Sequence, residues 1–230
     1  MTVMKRTLVI MAKAPRPGSV KTRLAKDLPL QAVTDLYRCL LTDTIALAQT
    51  LDDVEVAIMC PASDVEDLSR AVVNTVPVVP QTGAGLAAGL ASVFTHFAAL
   101  GPRRIVAFNS DSPHLPASVL ESAFHRLATC DLVVGPTHDG GYYLVGATAS
   151  HPGLFPGEAM GTTNAFDALL ARAQSIGLSV DLTDRFYDID EAADLGRLAA
   201  ELKFAPGKAP RTAEWLLAWR VACDDVKVTE

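Results

Sequence analysis

Short apolar runs recur along the chain and alternate with longer stretches whose apolar residues fall at helical spacing. The runs at 7–12, 54–59, 76–79, 104–109, 131–135, 142–147 and 178–182 are dominated by Val, Ile, Leu and Ala with few charges inside them. Continuous rather than alternating hydrophobicity predicts strands covered on both faces. The stretches 30–51, 64–73, 85–100, 116–128, 163–176 and 191–202 predict helices. On the first of these, Leu36, Leu40, Ile45 and Leu47 make one apolar face, the mark of a core helix. Strand and helix alternating in this way predict a mostly parallel sheet covered by helices, in a single α/β domain.

Beyond residue 203 the pattern changes. Pro206 and Gly207 break it, and a last helix carries Trp215 and Trp219 four residues apart, on one face. We read 1–203 as the main domain and 204–230 as a C-terminal extension packed on it. Its two rings are expected against the edge of the sheet, with a homodimer contact as the alternative.

Composition narrows the classes. Half of the 230 residues are hydrophobic, enough for a full core. The net charge of −6 argues against a nucleic-acid partner, which calls for a broad basic surface. No stretch approaches the roughly 20 apolar residues that span a membrane, and the run after Lys5 and Arg6 is too short for a secretory leader. The cytoplasm is the expected location. Cys39, Cys60, Cys130 and Cys223 are widely spaced and form no Cys-x-x-Cys pair; they read as small buried hydrophobes in a reducing compartment.

Charge is distributed unevenly. Seven cationic residues, Lys5, Arg6, Lys13, Arg16, Lys21, Arg23 and Lys26, precede the first acidic one, Asp27. Four of them lie in Lys13-Ala-Pro-Arg-Pro-Gly-Ser-Val-Lys-Thr-Arg23, directly after the first strand, where ligands of open α/β sheets bind. Gly18 opens backbone geometries closed to other residues, and exposed amides could join the cations around phosphate oxygens. The segment is not a P-loop, because Val20 precedes Lys21 where that motif needs glycine. Gly83-Ala-Gly-Leu-Ala-Ala-Gly89 imitates a dinucleotide-binding turn but misses its spacing by one residue. Gln81 and Gly83 remain candidates to approach a base or ribose, and helix packing explains Gly85 and Gly89 equally well.

Three acidic motifs complete the candidate chemistry. Asp111 follows the strand 104–109 directly and is the best single metal candidate, since Mg²⁺ takes one or two carboxylates and completes its shell with phosphates and water. Its structural alternative is a cap for the helix near Pro116, a task Ser112 or Ser118 could also perform. Asp188 and Asp190 fall on one side of an extended stretch by the period of two; Asp188 is favoured for metal, and Asp190 reads equally as a helix cap. Asp139-Gly-Gly141 between two apolar runs is a hairpin signal. As a site, Gly140 and Gly141 would let a ligand lie against the backbone while Asp139 bonds a hydroxyl or joins the metal shell. His96, His114, His125, His138 and His151 show no ligand spacing.

Four segments, Met11-Ala-Lys-Ala-Pro-Arg-Pro-Gly-Ser-Val-Lys-Thr-Arg-Leu24, Asn109-Ser-Asp-Ser-Pro-His-Leu-Pro116, Gly135-Pro-Thr-His-Asp-Gly-Gly-Tyr-Tyr-Leu-Val-Gly146 and Tyr187-Asp-Ile-Asp190, together resemble the DUF2064 glycosyltransferase-like family of the nucleotide-diphospho-sugar transferase superfamily. The resemblance runs over nearly residues 7 to 203. It implies a three-layer α/β/α sandwich with a mostly parallel mixed sheet, the GT-A type, shared with molybdenum-cofactor and 2-phospho-lactate guanylyltransferases. It also implies that Lys13, Arg16, Gly18, Lys21 and Arg23 form a phosphate loop, and that Asp111 holds Mg²⁺ or Mn²⁺ with Asp188 or Asp190. The chain departs from the family at Gly83–Gly89, often acidic elsewhere, and at Met160-Gly161, often Trp-Gly. The implied partners are a nucleotide and a small-molecule acceptor. The reaction is nucleotidyl transfer or glycosyl transfer, with a nucleotide-binding regulator that turns nothing over as a third reading.

Overall fold

The parallel strands at the middle of the sheet are β1 (Lys5–Met11) and β4 (Arg103–Asn109), paired in register from Lys5 opposite Arg103 to Met11 opposite Asn109. Leu8, Val9 and Ile10 of β1 are wholly buried, as a strand covered on both faces requires. The structure, a computed structural model, describes residues 4–72, 76–155, 157 and 162–228, with side chains described as far as residue 220.

β2 (Val54–Cys60) and β3 (Val78–Pro80) extend the sheet on one side of β1, and β6 (Tyr142–Ala147), β5 (Leu132–Pro136) and β7 (Val180–Leu182) extend it beyond β4. The order is β3-β2-β1-β4-β6-β5-β7, parallel except for β6, which runs antiparallel to both β4 and β5. This is the expected mostly parallel mixed sheet, with all seven predicted strands present. β3 begins two residues later than predicted. Pro77, which has no N–H to give a ladder, only accepts a bond from Ile58.

The helices are α1 (Leu30–Gln49), α2 (Val65–Ala71), α3 (Gly85–Ala98), α4 (Ala117–Arg126), α5 (Ala165–Ser175), α6 (Ala192–Phe204) and α7 (Pro210–Val228). Two compact units divide the chain. The first, 1–14, 48–109 and 116–187, contains the whole sheet. On one face of it Leu90, Val93, Phe94 and Phe97 of α3 and Leu169 and Ala173 of α5 share a core with Val9, Ala57, Ile105 and Val134. On the other face lies the end of α4: a Cβ on Gly146 would touch Leu127 and Val106, and the Arg6 guanidinium sits 4.7 Å from the Phe124 ring centre. That unit is therefore a three-layer sandwich.

The second unit, 15–47, 110–115 and 188–230, gathers the basic loop from Pro15 onward, most of α1, the turn bearing Asp111, and α6 with α7. Leu36 and Leu40 of α1 are fully buried and Ile45 nearly so, while Leu47 is half-buried. Trp215 and Trp219 stack with ring centres 5.4 Å apart, so they share a face as their spacing predicts. Trp219 lies beside Leu195, Gly196 and Ala199 of α6 and beside Leu28.

Of the cysteines, Cys60 is buried, and desolvation followed by the charge of Asp64 pushes its thiol up to about 11. Cys39 and Cys130 are only half-buried, a correction to the expectation of fully buried thiols. The side chain of Cys223, the pair Met160-Gly161 and the predicted helix end at Val73 lie outside the described residues. Among the described residues no helix is long and apolar enough to cross a membrane.

Candidate functional site

The basic loop leaves the sheet from the carboxyl end of β1. The amide of Ala12 still donates to Met59 in the manner of the ladder, and the Ala14 amide then donates to the Asp64 carboxylate at 2.8 Å. Asp64 precedes α2, yet its side chain makes no cap on that helix. Its buried carboxylate is committed to the entry of the loop instead, a role that sequence reading missed because an acidic residue at a helix start looks complete as a cap.

The loop then turns sharply. Ser19 donates its amide to the Arg16 carbonyl at 3.1 Å and its hydroxyl at 2.7 Å. Pro17 and Gly18 take the central positions, with Gly18 at φ +76°, the signature of a type II turn. Val20 and Leu24 are buried and pin the turn to the unit, while Lys13, Arg16, Gly18 and Arg23 are exposed.

Lys21 behaves differently from its neighbours. Its backbone is left-handed, at φ 48°, a strained conformation for a side-chain-bearing residue. Its side chain is only 4% exposed. The ammonium bonds Asp111 Oδ2 and also Asp190 Oδ1, the latter at 2.8 Å, and Arg23 holds the other oxygen of Asp190 at 3.1 Å. Burial alone would lower the pKa of Lys21, but the charges of Asp111 and Asp190 and their hydrogen bonds outweigh it and raise it, keeping the ammonium charged.

Asp111 sits two residues past the end of β4, in a turn steadied by a hydrogen bond of 2.9 Å between the Tyr37 hydroxyl and Ser110. The α4 cap position is Pro116, which makes no side-chain bond, so Asp111 is not spent on capping. Its Oδ2 meets Lys21; its Oδ1 is buried and receives no hydrogen bond from the described residues. A buried carboxylate oxygen without a donor is costly unless a cation completes it. Two carboxylates converging on one ammonium offer the hard oxygen donors that suit Mg²⁺ or Mn²⁺. Among the described residues no group of three or more His, Cys, Asp or Glu residues gathers.

The cap expected at Asp190 is corrected. Glu191 is the N-cap of α6, and its partner Asp194 accepts the amides of Glu191 at 2.8 Å and Asp190 at 3.0 Å, a capping box. The Asp190 carboxylate is thereby left to Lys21 and Arg23. Buried Tyr187 and Ile189 alternate with half-buried Asp188 and Asp190, as the period of two predicts. Asp190, rather than the favoured Asp188, shares Lys21 with Asp111.

In the sheet-bearing unit the remaining candidates are held by their own neighbours. Gln81 donates its amide to the carbonyls of Gly83 and Gly85, at 3.0 and 3.2 Å, and a Cβ on Gly89 would strike Gln81 and Met11. Close packing therefore accounts for Gly89. Asp139 accepts from the Thr137 hydroxyl and from the Gly141 amide at 3.1 Å, closing the hairpin that the Asp-Gly-Gly signal predicts. Gly140 has φ +88°, and a Cβ there would fall 1.8 Å from the Thr163 carbonyl oxygen. Chain packing, not only a ligand, thus demands that glycine. Gly140→Ala is expected to lower stability by about 2–4 kcal/mol through strain and overpacking; chemical denaturation with a midpoint equal to wild type would refute this.

The model of a family of uncharacterized proteins conserved in bacteria, DUF2064, matches residues 44–162, more than half of the chain and the part that carries Asp111. No curated protein sequence matches. A structure from Desulfovibrio desulfuricans G20, assigned there as a nucleotide-diphospho-sugar transferase, superposes with a TM-score of 0.86 at 24% identity, covering 96% of both chains. The inositol-1-phosphate CTP transferase of T. maritima gives a TM-score of 0.56 at 14% identity over 88% of this chain and 97% of its own. Rv0371c of Mycobacterium tuberculosis H37Rv, solved as a manganese complex, gives 0.50 at 20% identity over 86% and 98%. At such identities the likeness establishes the fold, that of the nucleotide-diphospho-sugar transferases.

Proposed function

With the chain established as a member of the DUF2064 family, we propose that it is a metal-dependent transferase acting on a nucleotide, and that nucleotidyl transfer is its reaction. The observation that carries this reading is the convergence of Lys21 and Arg23 of the basic loop on Asp111 and Asp190. Nucleotidyl transfer places two demands on one small volume: carboxylates for a divalent cation, and several cations for a departing pyrophosphate. Four side chains brought together from distant parts of the chain, Lys21, Arg23, Asp111 and Asp190, offer both.

In this reading a phosphate oxygen of the acceptor forms a bond to the α-phosphorus of a nucleoside triphosphate, and the bond from that phosphorus to the bridging oxygen breaks, releasing pyrophosphate. Asp111 and Asp190 would hold Mg²⁺ or Mn²⁺, whose chemistry is to polarise the phosphoryl oxygens and offset developing charge. Lys21 and Arg23 neutralise the leaving group, and Lys13, Arg16 and the turn at Gly18 draw the phosphates in. The expectation of cytoplasmic location belongs to the same proposal. A CTP transferase and a manganese complex among the structural neighbours support the reading of metal-dependent nucleotidyl transfer.

Glycosyl transfer from a nucleotide sugar is the second reading, favoured by the Desulfovibrio structure's assignment. One assay separates the two. Nucleoside triphosphates with phosphorylated acceptors should yield pyrophosphate, and nucleotide sugars should yield no free nucleoside diphosphate. The opposite pattern would establish the second reading in place of the first, and metal-dependent turnover of neither class would remove both.

A further inference from the structure

The four charges of the cluster balance without any bound ion: two carboxylates face one ammonium and one guanidinium. Both oxygens of Asp190 and one of Asp111 are already occupied by cationic side chains. Lys21 is the more deeply placed of the two cations, 4% exposed against 49% for Arg23, and it alone bridges the two aspartates. A free divalent cation would therefore meet a neutral cluster whose central position is filled by an ammonium. Burial strengthens that exclusion, since like charges repel more strongly where water is scarce.

Building on the metal-dependent reading above, we propose that Lys21 is a resident placeholder for the divalent cation: in the free protein it occupies the position between Asp111 and Asp190, and it gives way to phosphate when a cation–nucleotide complex loads. The left-handed backbone of Lys21 is the strained feature from which such a residue can depart, and the exposed cations at Lys13, Arg16 and Arg23 lie in the same loop. The consequence is a loading order built from this chain's own residues. Divalent cation alone binds weakly; cation with nucleotide binds well, because the polyphosphate receives the displaced ammonium. Binding of the two is reciprocal, each strengthening the other by the same factor.

The test uses Mn²⁺ and the full chain without nucleotide, with free Mn²⁺ followed by electron paramagnetic resonance. Lys21→Gln is expected to tighten Mn²⁺ by about 5–150-fold, the usual span of a coupling between sites. Lys21→Arg, which keeps the charge, should show no such gain, and Asp111→Asn should abolish the site in every background. Equal Mn²⁺ affinity in wild type and Lys21→Gln, both dependent on Asp111, overturns the placeholder and leaves the metal-dependent reading intact. Absence of any Asp111-dependent Mn²⁺ binding, with nucleotide or without, overturns that reading and the placeholder with it. Should Lys21→Gln fail to fold, ¹⁵N NMR of the lysine ammonium groups in wild type decides the matter. The Lys21 resonance should move on adding Mg²⁺ with ATP, and one that stays unmoved at saturating complex overturns the inference.

Discussion

Asp111→Asn is expected to reduce metal-dependent nucleotide turnover by about 10²–10³-fold, the usual loss when one charge-stabilising group is removed from a preorganised site. Asparagine keeps the shape and can still accept from Lys21, but it removes the negative charge that a divalent cation requires. The undonated Oδ1 is the atom at stake, because no described protein group depends on it. The fold should survive: Lys21 retains Asp190 at 2.8 Å, and Ser110 retains Tyr37. Turnover measured across Mg²⁺ concentration, beside a thermal melt of the same sample, checks both halves. Activity within a fewfold of wild type would sink the assignment of Asp111 as a metal ligand. Asp190→Asn should fall less steeply, since Asp111 remains and Arg23 is freed to meet phosphate.

Much of the frame behind that prediction is legible in the sequence. A parallel strand covered on both faces must be apolar at nearly every position, and the runs around Leu8–Ile10 and Ile105–Phe108 leave no competing period. The turn at Gly18 and the hairpin at Asp139 are equally local, fixed by residues two to four apart. What sequence could not supply is pairing at a distance. Lys21 and Asp190 are separated by 169 positions, and nothing local distinguishes a lysine that will be buried between two carboxylates from its exposed neighbours Arg16 and Arg23. The cap was misplaced for a related reason. Asp190 stands where a preferred capping residue belongs, whereas the structure uses the less favoured Glu191 and sets Asp194 against it. Choosing Glu191 releases Asp190 for the cluster, a choice dictated by tertiary contact rather than by propensity.

Asp43→Ala is expected to cost about 3–5 kcal/mol of stability, the largest structural effect of any single substitution considered, through a residue that carries no chemistry. Asp43 lies on α1, is 2% exposed, and accepts three hydrogen bonds from the start of α7: the Arg211 amide at 3.2 Å, the Thr212 amide at 2.8 Å and the Thr212 hydroxyl at 2.8 Å. The first amides of a helix have no partner within it, and α7 opens on Pro210 rather than on a capping side chain. Asp43 therefore supplies the cap from 168 positions away, and its negative charge meets the positive end of the helix dipole. Alanine would leave the buried Thr212 hydroxyl and amide unsatisfied and loosen the attachment of α7. Asp43→Asn, which still accepts through one oxygen, should lose less than half as much. Because Trp215 and Trp219 are the only tryptophans and both ride on α7, urea denaturation followed by tryptophan fluorescence reports this helix directly. A wild-type midpoint in Asp43→Ala would show that α7 is held by its apolar contacts with α6 alone, and that the carboxylate is dispensable.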